Sequence, residues 1–247
     1  MRSTVKNIIF FTICITLVFI LIFLFLLIKE SMYTSSIQNA QADEKITVVL
    51  DAGHGGEDGG AIGVTGIYEK DLNLSITLKI GEHLKAQGIN VIYTRTEDIL
   101  LYDRNTDYKN RKKSLDLAAR VKIASEIQNC VFVSIHMNSF SQSKYSGLQV
   151  YYSKNNSNSY LLAKGVQSRI KNELQPQNSR KITEATSRIY LLDQLECPAV
   201  LIECGFISNY EECRLLTTEI YQNQLAKCIS DEIANYVEKN SQILLTN

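Results

Sequence analysis

Hydrophobic positions along the chain follow two regimes. From residue 8 to residue 28 they are almost continuous, IIFFTICITLVFILIFLFLLI, interrupted by Thr12 and Thr16 alone. A helix of that length rises about 31 Å, enough to cross the roughly 30 Å hydrocarbon core of a bilayer. Beyond residue 44, short β-branched runs alternate with stretches of helical period. The runs at 46–50, 89–94, 130–135, 147–152 and 199–202 predict strands. Between the first two, Leu72, Ile76, Ile80 and Leu84 recur four residues apart and predict a helix over 72–87, stopped by Gly88. Further helices are predicted over 115–128, 160–174 and 221–237, while the charged stretch 96–113 has no clear period and reads as a long loop or lid. Strands and helices alternating in this way predict an α/β fold with a mainly parallel sheet. The expected organisation is a membrane anchor or signal segment over 1–30, a short linker over 31–44, one folded domain over 45–240 and a tail over 241–247.

Charge adds a direction to the apolar run. Arg2 and Lys6 precede it, whereas Lys29 and Glu30 behind it nearly cancel. The positive-inside rule therefore keeps the N-terminus in the cytoplasm and puts the domain outside. Ala40-Gln41-Ala42 is a small-residue pattern of the kind that signal peptidases cut, but it lies twelve residues past the run, so an uncleaved anchor is expected. Beyond residue 42 the chain carries 23 Lys and Arg against 25 Asp and Glu, a balance that disfavours a nucleic-acid partner. No fixed-period repeat or Pro/Gly/Ser-rich tract appears, which disfavours a solenoid or a disordered chain. Cys14 falls in the apolar run, leaving the odd set Cys130, Cys197, Cys204, Cys213 and Cys228 without a C-x-x-C pair. Free thiols are expected, packed as small hydrophobes, with no disulfide framework. For an exported domain that suggests a reducing or anaerobic setting.

The candidate chemistry gathers at strand ends. His54 follows the first predicted strand inside the glycine-dense loop 53–60, His136 ends the strand 130–135, and Glu203 ends the strand 199–202. In open α/β sheets, ligands bind beyond the carboxyl ends of strands, so these groups can converge. Two imidazoles and a carboxylate suit a catalytic zinc, which takes three protein ligands and keeps one position for water; a further Glu can then relay the proton. Glu57, three residues after His54, and Glu69, fifteen after it, compete as third ligand, and spacing does not separate them. His83 sits inside the predicted helix and reads as structural. The glycine loop matches neither the phosphate-loop nor the dinucleotide pattern. Ser134 faces the same side as His136 but lacks a G-x-S-x-G turn, and Cys204 points away from Glu203.

Four ordered motifs then carry a resemblance: LDAGHGG at 50–56 with GGA at 59–61, EKDLNL at 69–74, SIHMN at 134–138, and PAVLIECGFISN at 198–209. Together they resemble the zinc-dependent N-acetylmuramoyl-L-alanine amidases of the amidase-3 family. The resemblance implies a mixed sheet of about six strands flanked by helices, and an amidase catalytic domain that cleaves the bond between the lactyl group of N-acetylmuramic acid and L-alanine in peptidoglycan. It implies that His54, Glu69 and His136 bind Zn²⁺, that Glu203 is the catalytic acid and base, and that Asn138 helps shape the substrate site. Zinc-bound water would attack the lactyl carbonyl with help from Glu203. Arg95, Arg111, Arg120 and Arg188 are candidate partners for stem-peptide carboxylates, and the charged stretch from Glu97 to Lys113 a candidate wall over the glycan groove. The segments 111–122, 178–181 and 189–192 are similar to the CwlD-type spore-cortex amidases. That narrower likeness implies work beside a peptidoglycan deacetylase in forming muramic-δ-lactam, on the forespore or cortex side of a spore-forming bacterium, and an accessory activating protein as a further partner. The rival readings are a zinc carboxypeptidase using His54, Glu57 and His136, and a wall-binding domain without catalysis.

Overall fold

The computed structural model describes residues 16, 17, 20–30, 45–102 and 111–244. The chain divides into two units, Met1–Lys45 and Ile46–Asn247. In the first, residues 20–30 are helical and their apolar side chains, Ile20 to Ile28, are exposed. No helix among the described residues is long and apolar enough to cross a membrane. Ten residues of the predicted span, 8–15 and 18–19, lie outside the described residues.

The second unit follows the predicted alternation. Its elements run β1 (Thr47–Ala52), α1 (Glu69–Ala86), β2 (Asn90–Tyr93), α2 (Lys112–Ser125), β3 (Cys130–Asn138), β4 (Gln149–Tyr152), α3 (Asn158–Glu173), β5 (Thr183–Glu184), α4 (Tyr190–Gln194), β6 (Ala199–Phe206), α5 (Tyr210–Leu216) and α6 (Glu219–Leu244). They form one six-stranded sheet in the order β2-β1-β3-β6-β4-β5. All neighbouring strands are parallel except β4 and β6, which run antiparallel. The expected mixed, mainly parallel sheet is therefore present.

Strand alternation divides the core. Val48, Leu50, Val131, Val133, Ile135, Val200 and Ile202 face one side, where α1, α3 and α6 cover them with Leu72, Ile76, Ile80, Leu162, Val166, Ile170, Leu225, Ile229 and Ile233. The intervening positions Val49, Phe132, Ala199 and Leu201 face the other side and, among the described residues, meet α2, the short α4 and loop residues such as Ala185 and Leu195. That thinner cover ends before the strands do. Asp51, Ser134, His136 and Glu203 share the parity of the thinly covered face and lie where it opens.

β3 and β6 reach further than predicted, through His136 to Asn138 and through Glu203 to Phe206. Parallel pairing carries them on, with Ser134 beside Leu201 and His136 beside Glu203. β5, α4 and α5 were not legible as patterns, being two, five and seven residues long. Asn209 caps α5 by accepting from the Glu212 amide.

Candidate metal centre

The sheet has its switch point between β1 and β3. From β1 the chain crosses to β2 on one side and later returns to β3 on the other, leaving a crevice at their carboxyl ends. His54 and His136 flank that crevice, with ring centroids 5.0 Å apart. Glu69, the first residue of α1, reaches in from the side. Its Oε1 lies 3.2 Å from His54 Nε2 and 3.0 Å from His136 Nδ1. One donor atom from each of the three residues lies within 4.8 Å of the others, a spacing suited to one metal ion.

Backbone and glycine geometry make room for this cluster. His54 has φ 61°, the single positive value at a non-glycine position among the described residues, which costs strain and aims its ring off the strand end. Arg120 Nη2 donates to the His54 carbonyl at 2.7 Å and holds that turn. A Cβ on Gly53 would stand 2.2 Å from His136 Nε2, so the imidazole occupies the space that any other residue would fill. Gly60, at φ 64°, would likewise bring a Cβ within 2.6 Å of Glu69 Oε2. The glycine loop is a cradle for imidazole and carboxylate.

The second carboxylate oxygen of Glu69 accepts from the Ala61 amide at 2.9 Å, and Oε1 also accepts from the Met137 amide at 3.1 Å. Burial opposes its ionisation, but the two histidines hold its pKa well below the usual range. Burial also disfavours charged His54, yet Asp58 and Glu69 outweigh it and raise its pKa to about 9. Asp58 Oδ2 is 2.9 Å from His54 Nδ1 but poorly aligned for a hydrogen bond, so that ring nitrogen has a carboxylate neighbour without a well-directed acceptor. Carboxylates beside the outer nitrogen of a ligating His commonly orient it. The donor set and its negative surroundings fit a zinc ion.

Glu203 lies across from this cluster, paired in register with His136. Burial raises its pKa to about 7, with the charge of Glu69 adding to the rise against His136, His54 and Arg180. Its Oε2 is buried without a hydrogen-bond partner. A carboxyl group that changes protonation near neutrality, with one oxygen unengaged, is suited to accept and return a proton. His54, Asp58, His136 and Glu203 line a cavity of about 250 Å³ together with Arg188 and Tyr190.

Glu57 does not join the cluster. It is 66% exposed and pairs with Lys112 at 2.5 Å, which removes the ligand set of the carboxypeptidase reading. Arg95 and Arg120 also require correction as substrate contacts, because they are only 2% and 1% exposed, and Arg120, although it borders the cavity, is spent on the protein's own groups. Arg120 meets Asp51 and Asp116 and the carbonyls of Ala52 and His54, which engages every donor of its guanidinium. Arg95 donates to the carbonyls of Ala52, Gly53, Glu97 and Lys70. Both arginines brace the loop that carries His54. Arg188 does stand at the cavity, and Arg111 is exposed at the N-cap of α2.

Asn138 lies in a second, open groove beyond Glu203, with Phe140, Tyr145, Tyr151, Arg180 and Phe206. Arg180 sits 4.9 Å above the Phe206 ring and donates to Gln149, the register partner of Glu203. Of the charged stretch, Asp98 accepts from Lys70 at 2.6 Å and Lys113 lines the cavity, while 103–110 lie outside the described residues. Asp58 and Arg180 escaped the sequence reading of the site. Asp58 had one available signal, its place four residues after His54 in the same loop; Arg180 lies in the aperiodic run before β5, where its place in the segment 178–181 marked a likeness but no site role.

An α/β sheet with two histidines and a carboxylate spaced to hold a metal ion, and a separate Glu with one oxygen unpartnered, is the arrangement of a hydrolase. The sequence matches the family model for N-acetylmuramoyl-L-alanine amidase over residues 48–235, and the chain belongs to that family. It is 35% identical over 189 residues to the germination-specific N-acetylmuramoyl-L-alanine amidase of Bacillus subtilis, covering 76% of this chain and 78% of that protein. The CwlD amidase of Clostridioides difficile, solved in complex with the GerS lipoprotein, is 42% identical with a TM-score of 0.73, covering 79% of this chain and 100% of that one. The catalytic domain of CwlV from Bacillus (Paenibacillus) polymyxa is 34% identical with a TM-score of 0.65, covering 78% of this chain and 98% of that domain. The chain is an N-acetylmuramoyl-L-alanine amidase, and its substrate is peptidoglycan.

Proposed function

We propose that the amide between the lactyl group of N-acetylmuramic acid and L-alanine is hydrolysed over His54, Glu69 and His136, which hold zinc, with Glu203 as acid and base. The convergence of the three donor atoms opposite the unpartnered Glu203 Oε2 carries this reading. Zinc bound there would polarise the scissile carbonyl and lower the pKa of a water molecule. Glu203 takes a proton from the attacking water and gives it to the alanine nitrogen as the carbon–nitrogen bond breaks, leaving a lactyl carboxylate and a free amine. Asp58 and Glu69 orient the imidazoles, while Arg95 and Arg120 hold the loop. Asn138 contacts the substrate in the groove beside Glu203.

The likeness to the germination-specific and CwlD amidases supports a role in spore-cortex maturation, where stem removal precedes deacetylation and muramic-δ-lactam formation. It also supports an extracytoplasmic site of action. The N-terminal apolar run serves there as a membrane anchor, in keeping with its positive flank. The CwlD relative solved with a lipoprotein supports an accessory protein as partner. Digestion of purified peptidoglycan, followed by assay of new L-alanine N-termini, tests the reaction; no new amines with zinc-loaded protein would sink it. Cortex from a strain lacking the gene should lose muramic-δ-lactam.

A further inference from the structure

Two cysteines at the far ends of the site-bearing strands are placed to react with one another. Cys130 opens β3, and Cys197 stands two residues before β6. Phe132 is the register partner of Ala199, so each cysteine lies two residues ahead of one member of the same pair. The alignment extends back before the start of β6, because the Phe132 amide donates to the Pro198 carbonyl at 2.8 Å. Residues two apart share a face, and both cysteines pack into the cluster formed by Phe132, Ala199 and Leu201. Neighbouring strands lie about 4.8 Å apart, inside the roughly 4.4–6.8 Å window that a disulfide requires between Cα atoms.

We propose that Cys130 and Cys197 form a disulfide that staples β3 to β6 at the ends remote from the metal centre. Both are thiols in this structure. Their reactivities are unequal in a useful way. The two sulfurs act on one another: the neighbouring Cys130 holds the Cys197 pKa below its ordinary value against the effect of burial, while Cys197 and burial together raise that of Cys130. Cys197 is half-buried and Cys130 buried, so an oxidant reaches Cys197 first. The Cys197 thiolate attacks one sulfur of an incoming low-molecular-weight or protein disulfide, breaks its S–S bond and expels a thiolate, which takes up a proton. Cys130 then loses its proton and attacks the Cys197 sulfur of the mixed disulfide, expelling the second thiol. Two protein thiols are oxidised and one external disulfide is reduced to two thiols. Cys204, Cys213 and Cys228 pack on the opposite face of the sheet and have no place in this exchange.

The staple would cross-link the two strands whose other ends carry His136 and Glu203. Six residues of strand, about 20 Å, separate Cys130 from His136, so it restrains the unfolded chain and leaves the metal centre alone. The proposal depends on the extracytoplasmic placement given above only for the source of oxidant. The chemistry itself is independent of amidase activity.

The test uses the full chain, reduced and then exposed under native conditions to oxidised glutathione, alkylated and mapped by peptide mass. The expected product is a Cys130–Cys197 linked peptide with a loss of two hydrogens, and alkylation of the other three domain cysteines after denaturation. The oxidised protein should melt several degrees higher and keep its amidase rate within about twofold. Cys197→Ser should abolish both the linked peptide and the melting shift; Cys130→Ala serves equally if that variant does not fold. Persistence of both thiols, a stable glutathione adduct on Cys197 beside a free Cys130, or linkage of either residue to another cysteine would overturn the proposal.

Discussion

The two faces of the sheet use the same strands for opposite purposes. One face is a continuous apolar layer under α1, α3 and α6, and the strand side chains it receives are mostly valines, leucines and isoleucines. The other begins in the same way with Val49, Phe132, Ala199 and Leu201, but its carboxyl-terminal half carries Asp51, Ser134, His136 and Glu203. One face supplies stability and the other supplies chemistry. The difference comes from cover: three long helices leave no space for a ligand, whereas α2 and the short α4 leave a cavity of about 250 Å³ above the strand ends.

Removing chemistry without removing fold separates the faces most sharply. Glu203→Gln should lower stem release by about 10²–10⁴-fold with unchanged zinc content and melting temperature, measured by amine appearance and metal analysis. Undiminished release would end the acid and base assignment. Glu69→Ala should lose most bound zinc together with activity, because it removes the proposed carboxylate ligand and the group that both histidines approach.

Next in size are two substitutions that test what each face contributes to stability. Arg120→Met leaves Asp51 and Asp116 buried without their cation and should cost about 3–5 kcal/mol in denaturant unfolding. It should also lower zinc affinity, since the His54 carbonyl loses its donor. Ile76→Ala opens a cavity in the thick layer and should cost about 2–5 kcal/mol, while the folded fraction keeps its specific activity. Loss of activity per folded molecule in Ile76→Ala would erase the division between the faces.

A smaller effect is expected from acid. Burial opposes ionisation of Asp51, but Arg120, Ser134 and Thr94 outweigh it and hold its pKa below the ordinary aspartate value. A depressed native pKa gives stability that is present above the unfolded value and lost as pH falls through the native one. Melting temperature should therefore fall below about pH 4 more steeply in the native protein than in Asp51→Asn. Equal slopes would remove Asp51 from the account. Least of all should come from Glu57→Ala, an exposed partner of Lys112, with stability within about 0.5 kcal/mol and zinc content unchanged.

The thick face was legible because its signal repeats. Leu72, Ile76, Ile80 and Leu84 fall on one helical stripe, and all four are buried where that stripe predicts. His54, His136 and Glu203 were legible as strand-end residues, since a polar group after a β-branched run marks where the sheet meets its crevice. Glu69 was not separable from Glu57 by spacing. Both lie within fifteen residues of His54, and only the fold of the glycine loop brings one inward while the other pairs with Lys112. Arg95 and Arg120 were misread for a related reason: charge in a sequence suggests a surface, and the carboxylates and carbonyls that bury these two come from β1, α1, α2 and the loops between.

By itself, the sequence determined the alternation of strands and helices, the near-neutral domain, the apolar N-terminal run and the four motifs of an amidase, because each is a local or ordered pattern. The tertiary structure alone decided which carboxylate meets the histidines, which arginines are braces, and which thiols lie side by side. Those outcomes depend on residues 15 to 69 positions apart, such as Arg120 with Asp51, His136 with Glu69 and Asp116 with Leu101. Such contacts arise when packing closes the chain around a shared core, and no periodicity along the chain encodes them.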